Sequence, residues 1–130
     1  MPNLSQAMRV SSTGMAAERF RMDVISVNIA NANSMKTGAQ DPYRRHVVRL
    51  EGNENGVQVS GIDVDQSPLQ ASYEPGSPFA DKDGNVYKTN IEPIQEMVDM
   101  MSASRAYEAN IAAFNTAKSM VKSALSIGKV

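Results

Sequence analysis

The sequence contains no cysteine and no tryptophan. The absence of cysteine excludes disulfides, thiolate metal ligands and thiol nucleophiles, and agrees with either a reducing compartment or export that needs no oxidative folding. Aromatic residues make up 5% of a chain that is 42% hydrophobic, whereas methionine occurs nine times. Interiors short of rings and rich in Met, Ala, Ile and Val suit packed helices better than a sandwich or a cofactor cleft. Runs of about 18 consecutive apolar residues are missing, and the opening stretch MPNLSQAMRV has no basic segment leading into an apolar one. Neither a membrane span nor a Sec-type signal peptide is expected. With a net charge of −1, the chain has no general attraction to nucleic acid or to an anionic membrane.

That near-neutral balance hides a segregation. Residues 1–50 carry seven basic against three acidic residues, residues 51–100 two against ten, and residues 101–130 four against one. The ends are basic and the middle is acidic. Such a distribution reads either as ordinary solvated faces or as complementary charge that steers one copy onto another. The length of 130 residues suffices for one ordinary domain.

Two segments carry helical periodicity. In residues 4–32 the apolar positions Leu4, Met8, Met15, Met22, Ile25 and Ile29 fall on a heptad-like stripe, interrupted by Gly14 and by polar residues at the missing steps. In residues 91–127 the stripe runs through Met97, Met101, Ser104, Tyr107, Ile111, Phe114, Val121 and Leu125. Pro93 suits a first turn and Gly128 a stop. A helix of that length spans on the order of 50 Å, too long for a compact globule of this size. Each stripe needs a partner. Small residues from Ala103 to Ala117 permit close helix approach, and Ser104 and Asn115 place polar groups on or beside the seam, where they fix register at a cost in stability. Both a simple helical hairpin and an assembly interface fit this pattern.

The fold class expected is therefore mainly α: N- and C-terminal helices with a short β or irregular segment between them. The segments divide as 1–35, an N-terminal core helix; 36–90, an extended, β-rich middle; and 91–130, a C-terminal core helix. In the middle, YRRHVVRL and GVQVSGIDVDQ alternate with period two, predicting two or three short strands, and residues 73–90 are dense in Pro, Gly, Asp and Asn and read as largely irregular.

One stretch poses a particular question. In NIANANSMKTGAQDPYRR, Asn28, Asn31 and Asn33 crowd the end of the first helical pattern, followed by Tyr43, Arg44 and Arg45. Asparagine competes with the helix for backbone hydrogen bonds, so the cluster marks a helix ending or a polar contact surface.

Catalytic signatures do not emerge. His46 is the single histidine, with no carboxylate pair or nucleophile beside it, and there is no Gly-rich phosphate loop, GxSxG elbow or HExxH helix. No enzyme and no cofactor are expected. Arg44, Arg45, His46 and Arg49 make a basic strand, but alternation splits the charges between two faces and only Tyr43 interleaves; this opposes nucleic-acid binding and favours pairing with acidic residues of a neighbouring subunit. The stretch DKDGNVYKTNIE sets Asp81, Asp83, Asn85, Tyr87, Thr89 and Glu92 on calcium-loop spacing, yet Val86 stands where such a loop needs glycine. An Asp-Gly-Asn turn explains the same residues. A small calcium- or ligand-binding module centred on residues 73–92 is the alternative reading.

NIANAN at Asn28–Asn33, PYRR at Pro42–Arg45, YEPGSPFADKDG at Tyr73–Gly84 and EMVDMMSASRAYEANIAAFNTAKSM at Glu96–Met120 together resemble the axial rod and hook family of the bacterial flagellum, and within it the proximal-rod members of the basal body. The resemblance covers essentially the whole chain. It implies that the terminal helices pair as a coiled coil in the inner core of a tubular structure that transmits torque. It further implies export by the flagellar type III apparatus without a cleaved signal, a place in the periplasmic rod of the basal body, and further copies and other rod proteins as partners. The helical-stripe residues Met15, Met22, Ile25, Ile29, Met97, Met101, Ser104, Tyr107, Ile111, Phe114, Asn115, Val121 and Leu125, with Asn28, Asn31, Asn33, Tyr43, Arg44 and Arg45, are the expected assembly interface. The family's usual Asn-Thr-x-Gly-Tyr run is here NSMKTGAQDPY, so the asparagine cluster and Tyr43 are separated by extra residues.

Overall fold

The structure, a computed structural model, describes residues 3–129; the expected outer bounds at residues 1 and 130 lie outside them. Two long helices frame the chain, α1 (Leu4–Ala30) and α2 (Pro93–Gly128), and four strands lie between them: β1 (His46–Asn53), β2 (Gly56–Val64), β3 (Gln70–Tyr73) and β4 (Asn85–Lys88). The helix signals act where the sequence puts them. Asn3 caps α1, its Oδ1 accepting the Gln6 N–H at 2.7 Å, which satisfies one of the orphan donors of the first turn. Asn31 closes the helix, its Nδ2 donating to the Val27 carbonyl at 2.8 Å. Pro93 opens α2, where a missing N–H costs nothing.

The helices form an antiparallel pair. Asn28 near the end of α1 meets Glu96 near the start of α2, and Gly14 lies against Asn110, a register that sets Leu4 opposite Met120. Contact is close because α1 offers Ser11, Gly14 and Ala17, and α2 offers Ala103 and Ala117, all buried. A methyl group on Gly14 would stand 2.7 Å from the Asn110 side chain, well inside van der Waals contact. On α2 the residues Glu96, Ala103, Asn110 and Ala117 recur every seven positions. The face turned to α1 is thus small and polar, and Met97 and Met101, one residue after Glu96 and two before Ala103, lie off it.

β1 and β2 form an antiparallel hairpin with an irregularity between Arg49 and Leu50. It lies along α1 with its tip toward the helix N-terminus: the Val57 N–H donates to Thr13 Oγ1 at 3.1 Å, and Gln6 Nε2 reaches the Glu54 carbonyl. Gly56 has φ +124° and no room for a side chain, since a Cβ would lie 2.2 Å from Thr13 Oγ1. Along β1, His46, Val48 and Leu50 are partly covered and Val47 and Arg49 exposed, the alternation expected of a strand with one face on a helix.

Residues 73–90 are largely irregular, as expected, apart from β4 and the end of β3, which bring the middle to four strands where two or three were expected. β3 and β4 pair antiparallel, Gln70 opposite Lys88 and Tyr73 opposite Asn85, and Met35 adds a bridge to Lys88. Four-residue strands of composition QASY and NVYK are too short and too polar to display a period; only Val86, fully buried, ties them to the core.

Replacing Gly14 by Ala sets about 1 kcal/mol of gained helix propensity against an overpacking cost of about 1–3 kcal/mol, and the clash with Asn110 is expected to win. Thermal unfolding should show Gly14→Ala below wild type and Gly14→Ala/Asn110→Ala recovering the loss. Equal midpoints for the single and double variants would contradict the close approach.

Candidate functional site

The candidate site is built where α1 ends, β1 begins and α2 begins. Asn28 is fully buried within the last turns of α1, and its side-chain amide pairs with the His46 backbone as a neighbouring strand would. Oδ1 accepts the His46 N–H at 3.1 Å and Nδ2 donates to the His46 carbonyl at 2.8 Å. The same Nδ2 donates to Glu96 Oε2 at 3.2 Å. Glu96 is also fully buried, and its other oxygen accepts from Arg45 Nε. Arg45 then spreads its guanidinium over two further carboxylates, Asp65 at 3.3 Å and Asp99 at 3.0 Å.

Three segments distant in sequence are thereby joined by one cation. Burial alone would lower the pKa of the Arg45 guanidinium, but its hydrogen bond and charge contact with Glu96, followed by those with Asp65 and Asp99, raise it. Asp65 is held below the usual carboxylate range by the Ser67 hydroxyl and N–H and then by Arg45. Asn90 closes the base, its Oδ1 accepting the Arg45 N–H at 2.8 Å and its Nδ2 donating to the carbonyls of Asp65 and Ser67. Thr89 Oγ1 donates to the Tyr43 carbonyl, and Ser34 Oγ accepts the Tyr43 N–H. The Tyr43 ring stacks on His46 with centroids 4.8 Å apart, and burial raises its phenol pKa. Arg44 Nη1 donates to the Ser67 carbonyl.

The expected interface residues sort into two groups. Asn28, Tyr43, Arg44 and Arg45 meet at this junction, and the carboxylates that Arg45 meets belong to its own chain. Asn31 caps the helix, and Asn33 is exposed in the turn that follows. Along the helices Ile25 is buried, while Met15, Met22, Ile29, Ser104, Tyr107, Ile111, Phe114 and Val121 are half-buried. Met97, Met101, Asn115 and Leu125 are exposed, with Met97 at 54% and Met101 at 59%. Ile94 and Val98 join the first two on the outward face of α2, so large apolar side chains point away from the hairpin while small ones point into it. An apolar hollow of about 360 Å³ lies between α1 and β2, lined by Ala16, Ala17, Phe20, Val57 and Val59 among others.

Sequence reasoning missed Glu96, Asp65, Asp99 and Asn90, and singled out Thr89 only for its calcium-loop spacing, whereas its hydroxyl bonds to the Tyr43 carbonyl. Glu96 carried one usable signal, since it sits seven residues before Ala103 on the small-residue face. At residues 81–92, Asp81 accepts the N–H groups of Asn85 and Asp83 with one oxygen, at 2.8 and 2.9 Å, and these bonds, Asn85 first, lower its pKa. Its carboxylate organises a turn around Gly84, at φ +82°. Among the described residues no three His, Asp or Glu side chains gather as metal ligands.

The three asparagines should respond to Asn→Asp in a graded way. Asn28→Asp removes a buried donor and sets one carboxylate against another, at about 3–5 kcal/mol for an uncompensated buried charge. Asn31→Asp loses one capping bond and puts negative charge at a helix C-terminus, costing about 0.5–1.5 kcal/mol; Asn33→Asp, exposed, should stay within about 0.5 kcal/mol. Chemical denaturation of the three variants measures the series. Equal losses at positions 28 and 33 would contradict the junction.

Comparison with known proteins places this architecture. The family model described as flagella basal body rod protein matches residues 8–40, and that of the flagellar basal body rod FlgEFG protein C-terminal matches residues 82–127. The chain is 41% identical to the flagellar basal-body rod protein FlgC of Borreliella burgdorferi, covering 95% of this chain and 97% of the relative. It is 39% identical to that of Bacillus subtilis, with the same coverage, and 37% identical to that of Salmonella typhimurium, over 92% of this chain and 94% of the relative. With these identities sustained over nearly the full length of each relative, the chain belongs to the flagellar basal-body rod protein FlgC family.

Proposed function

We propose that the chain is a structural, non-catalytic subunit of the bacterial flagellar basal-body rod, located in the basal body and assembling with other rod proteins and with further copies of itself. Family membership supports the location and the structural role. The observation that carries the assembly reading is the division of α2: Glu96, Ala103 and Ala117 are buried against α1, while Ile94, Met97, Val98 and Met101 face outward. An isolated soluble helix has no use for a contiguous outward row of large apolar side chains, and a packed tube has.

Several finer readings follow. α1 and α2 pair as a two-stranded coiled coil, supported by the seven-residue recurrence on α2 and by Gly14 and Asn28 two heptads apart on α1. Residues 1–35 and 91–130 act as the inner core segments and 36–90 as the middle segment that braces them. Torque passes along the stacked helices, and the chain reaches the periplasmic rod through the flagellar type III apparatus. Phe114 and Val121 on the helix seam, and Met97, Met101 and Ile111 on its flank, make the assembly contacts together with Met15, Met22 and Ile29. No described helix is long and apolar enough to cross a membrane, and neither membrane insertion nor nucleic-acid binding forms part of the reading.

The test separates folding from assembly. Met101→Asp changes an exposed residue and should leave the unfolding free energy of the isolated chain within about 0.5 kcal/mol, yet prevent incorporation, because charge at a buried contact is costly. Lys82→Ala in the exposed loop should incorporate normally. The readout is the amount of chain in purified basal bodies from complemented cells, with swimming as a second measure. Normal incorporation of Met101→Asp would place the contact face elsewhere, and absence of the wild-type chain from basal bodies would overturn the rod reading.

A further inference from the structure

Methionine carries all of the sulfur in this chain. Cysteine, the usual first target of a peroxide, is absent, so a two-electron oxidant is left with nine methionines. The oxidant must reach the thioether, and the fold sorts these side chains by access. Met1 lies outside the described residues, and Met8, Met15, Met22, Met35 and Met100 are half-buried. Met97, Met101 and Met120 are each more than half exposed.

Two of the open methionines are neighbours. Met97 and Met101 stand four residues apart on α2 and so lie on one face of the helix. Ile94 and Val98, also exposed, complete a continuous apolar patch with them, at the spacings of three and four that set residues side by side. Met120 lies roughly 28 Å farther along the helix, outside the patch. The buried residues of α2 are Glu96, Ala103 and Ala117, so neither methionine of the pair packs in the seam with α1. Oxidation would alter the patch and leave the fold alone. A sulfoxide replaces a flexible apolar thioether by a strongly polar S–O group, and a polar acceptor buried without a donor is costly.

Resting on the rod reading, we infer that Met97 and Met101 form an oxidation site through which a peroxide controls whether the chain assembles. The thioether sulfur attacks one peroxide oxygen: an S–O bond forms, the O–O bond breaks, and the second oxygen takes up a proton and leaves as water. Each methionine loses two electrons and each peroxide gains two. An unassembled chain marked in this way keeps its fold and loses the apolar surface that a neighbour must cover. A chain already in the rod has the same sulfurs shielded. Without cysteine the chain cannot reverse the mark itself; removal takes two thiols of a separate reductase, which end as a disulfide while the oxygen leaves as water.

Hydrogen peroxide with peptide mass spectrometry tests the site. In the isolated full chain, Met97 and Met101 should oxidise at least about tenfold faster than the half-buried Met8, Met15 and Met22; equal rates would overturn the inference. In cells that produce the chain during sublethal peroxide exposure, sulfoxide at the pair should be at least about tenfold richer in unassembled chain than in purified basal bodies. Equal content in the two pools, or sulfoxide in neither, would overturn it. Met97→Gln/Met101→Gln puts a polar group of similar length at both positions and should lower incorporation at least about tenfold with an unchanged thermal midpoint. Met97→Leu/Met101→Leu offers no sulfur there and should incorporate normally with or without peroxide. Normal incorporation of the glutamine variant, or failure of the leucine variant, would overturn the oxidation site while leaving the rod reading intact. A wild-type chain absent from the basal bodies of untreated cells would overturn both.

Discussion

The buried carboxylate of Glu96 is the constraint on which the rest of the structure depends. A lone ionised carboxylate in a protein interior costs several kcal/mol, so Glu96 is tolerable only with both oxygens satisfied. One is satisfied by Asn28 of α1 and the other by Arg45, the residue preceding β1. Those two partners lie 68 and 51 residues away in sequence. Satisfying them fixes the rotation of α2 about its axis, the end of α1 and the point at which the β1–β2 hairpin leaves the base. Hydrophobic contacts, which have no direction, would not set these relations so narrowly.

That role for polar groups fits the thinness of the apolar core. The buried hydrophobic residues among those described are Ala17, Ile25, Val86, Ile91, Ala103 and Ala117, three of them alanines that contribute little transfer energy. Close helix approach at Gly14 and the alanines gives dispersion contacts over a long seam, and register comes from the junction at its base and Asn110 along its length. The larger apolar side chains Ile94, Met97, Val98 and Met101 stay exposed.

The two helices were legible in the sequence because heptad spacing, Pro93 and the asparagine-rich ending are local signals. The direction in which the helices face each other was not. Reading Met97, Met101 and Ile111 as one stripe finds the apolar surface of α2, but apolar does not mean internal when small residues let two backbones meet, and the seam proper runs through Glu96, Ala103, Asn110 and Ala117. Glu96 itself reads as an ordinary acidic residue in the first turn of a helix, and nothing local reveals that an arginine 51 residues earlier will bury it. The asparagines illustrate the same limit. All three belong at a helix ending by propensity, yet only Asn31 caps it, Asn33 is exposed, and Asn28, three residues earlier, faces the seam and acts as a surrogate peptide for His46. Strands β3 and β4 escaped notice because four residues cannot show a period.

The most direct measurement of the central constraint is a double-mutant cycle between Arg45→Met and Glu96→Leu, read by chemical denaturation of the full chain. Each single variant leaves charge without its partner at the base of the helices, and Arg45→Met leaves the buried carboxylate itself uncompensated, costing about 3–5 kcal/mol. The double variant replaces both by apolar groups and should lose less than the sum of the single losses, with a coupling energy of about 2 kcal/mol or more. If the two losses instead add to within about 0.5 kcal/mol, the ion pair does not hold the junction together and the dependence of the fold on Glu96 is contradicted.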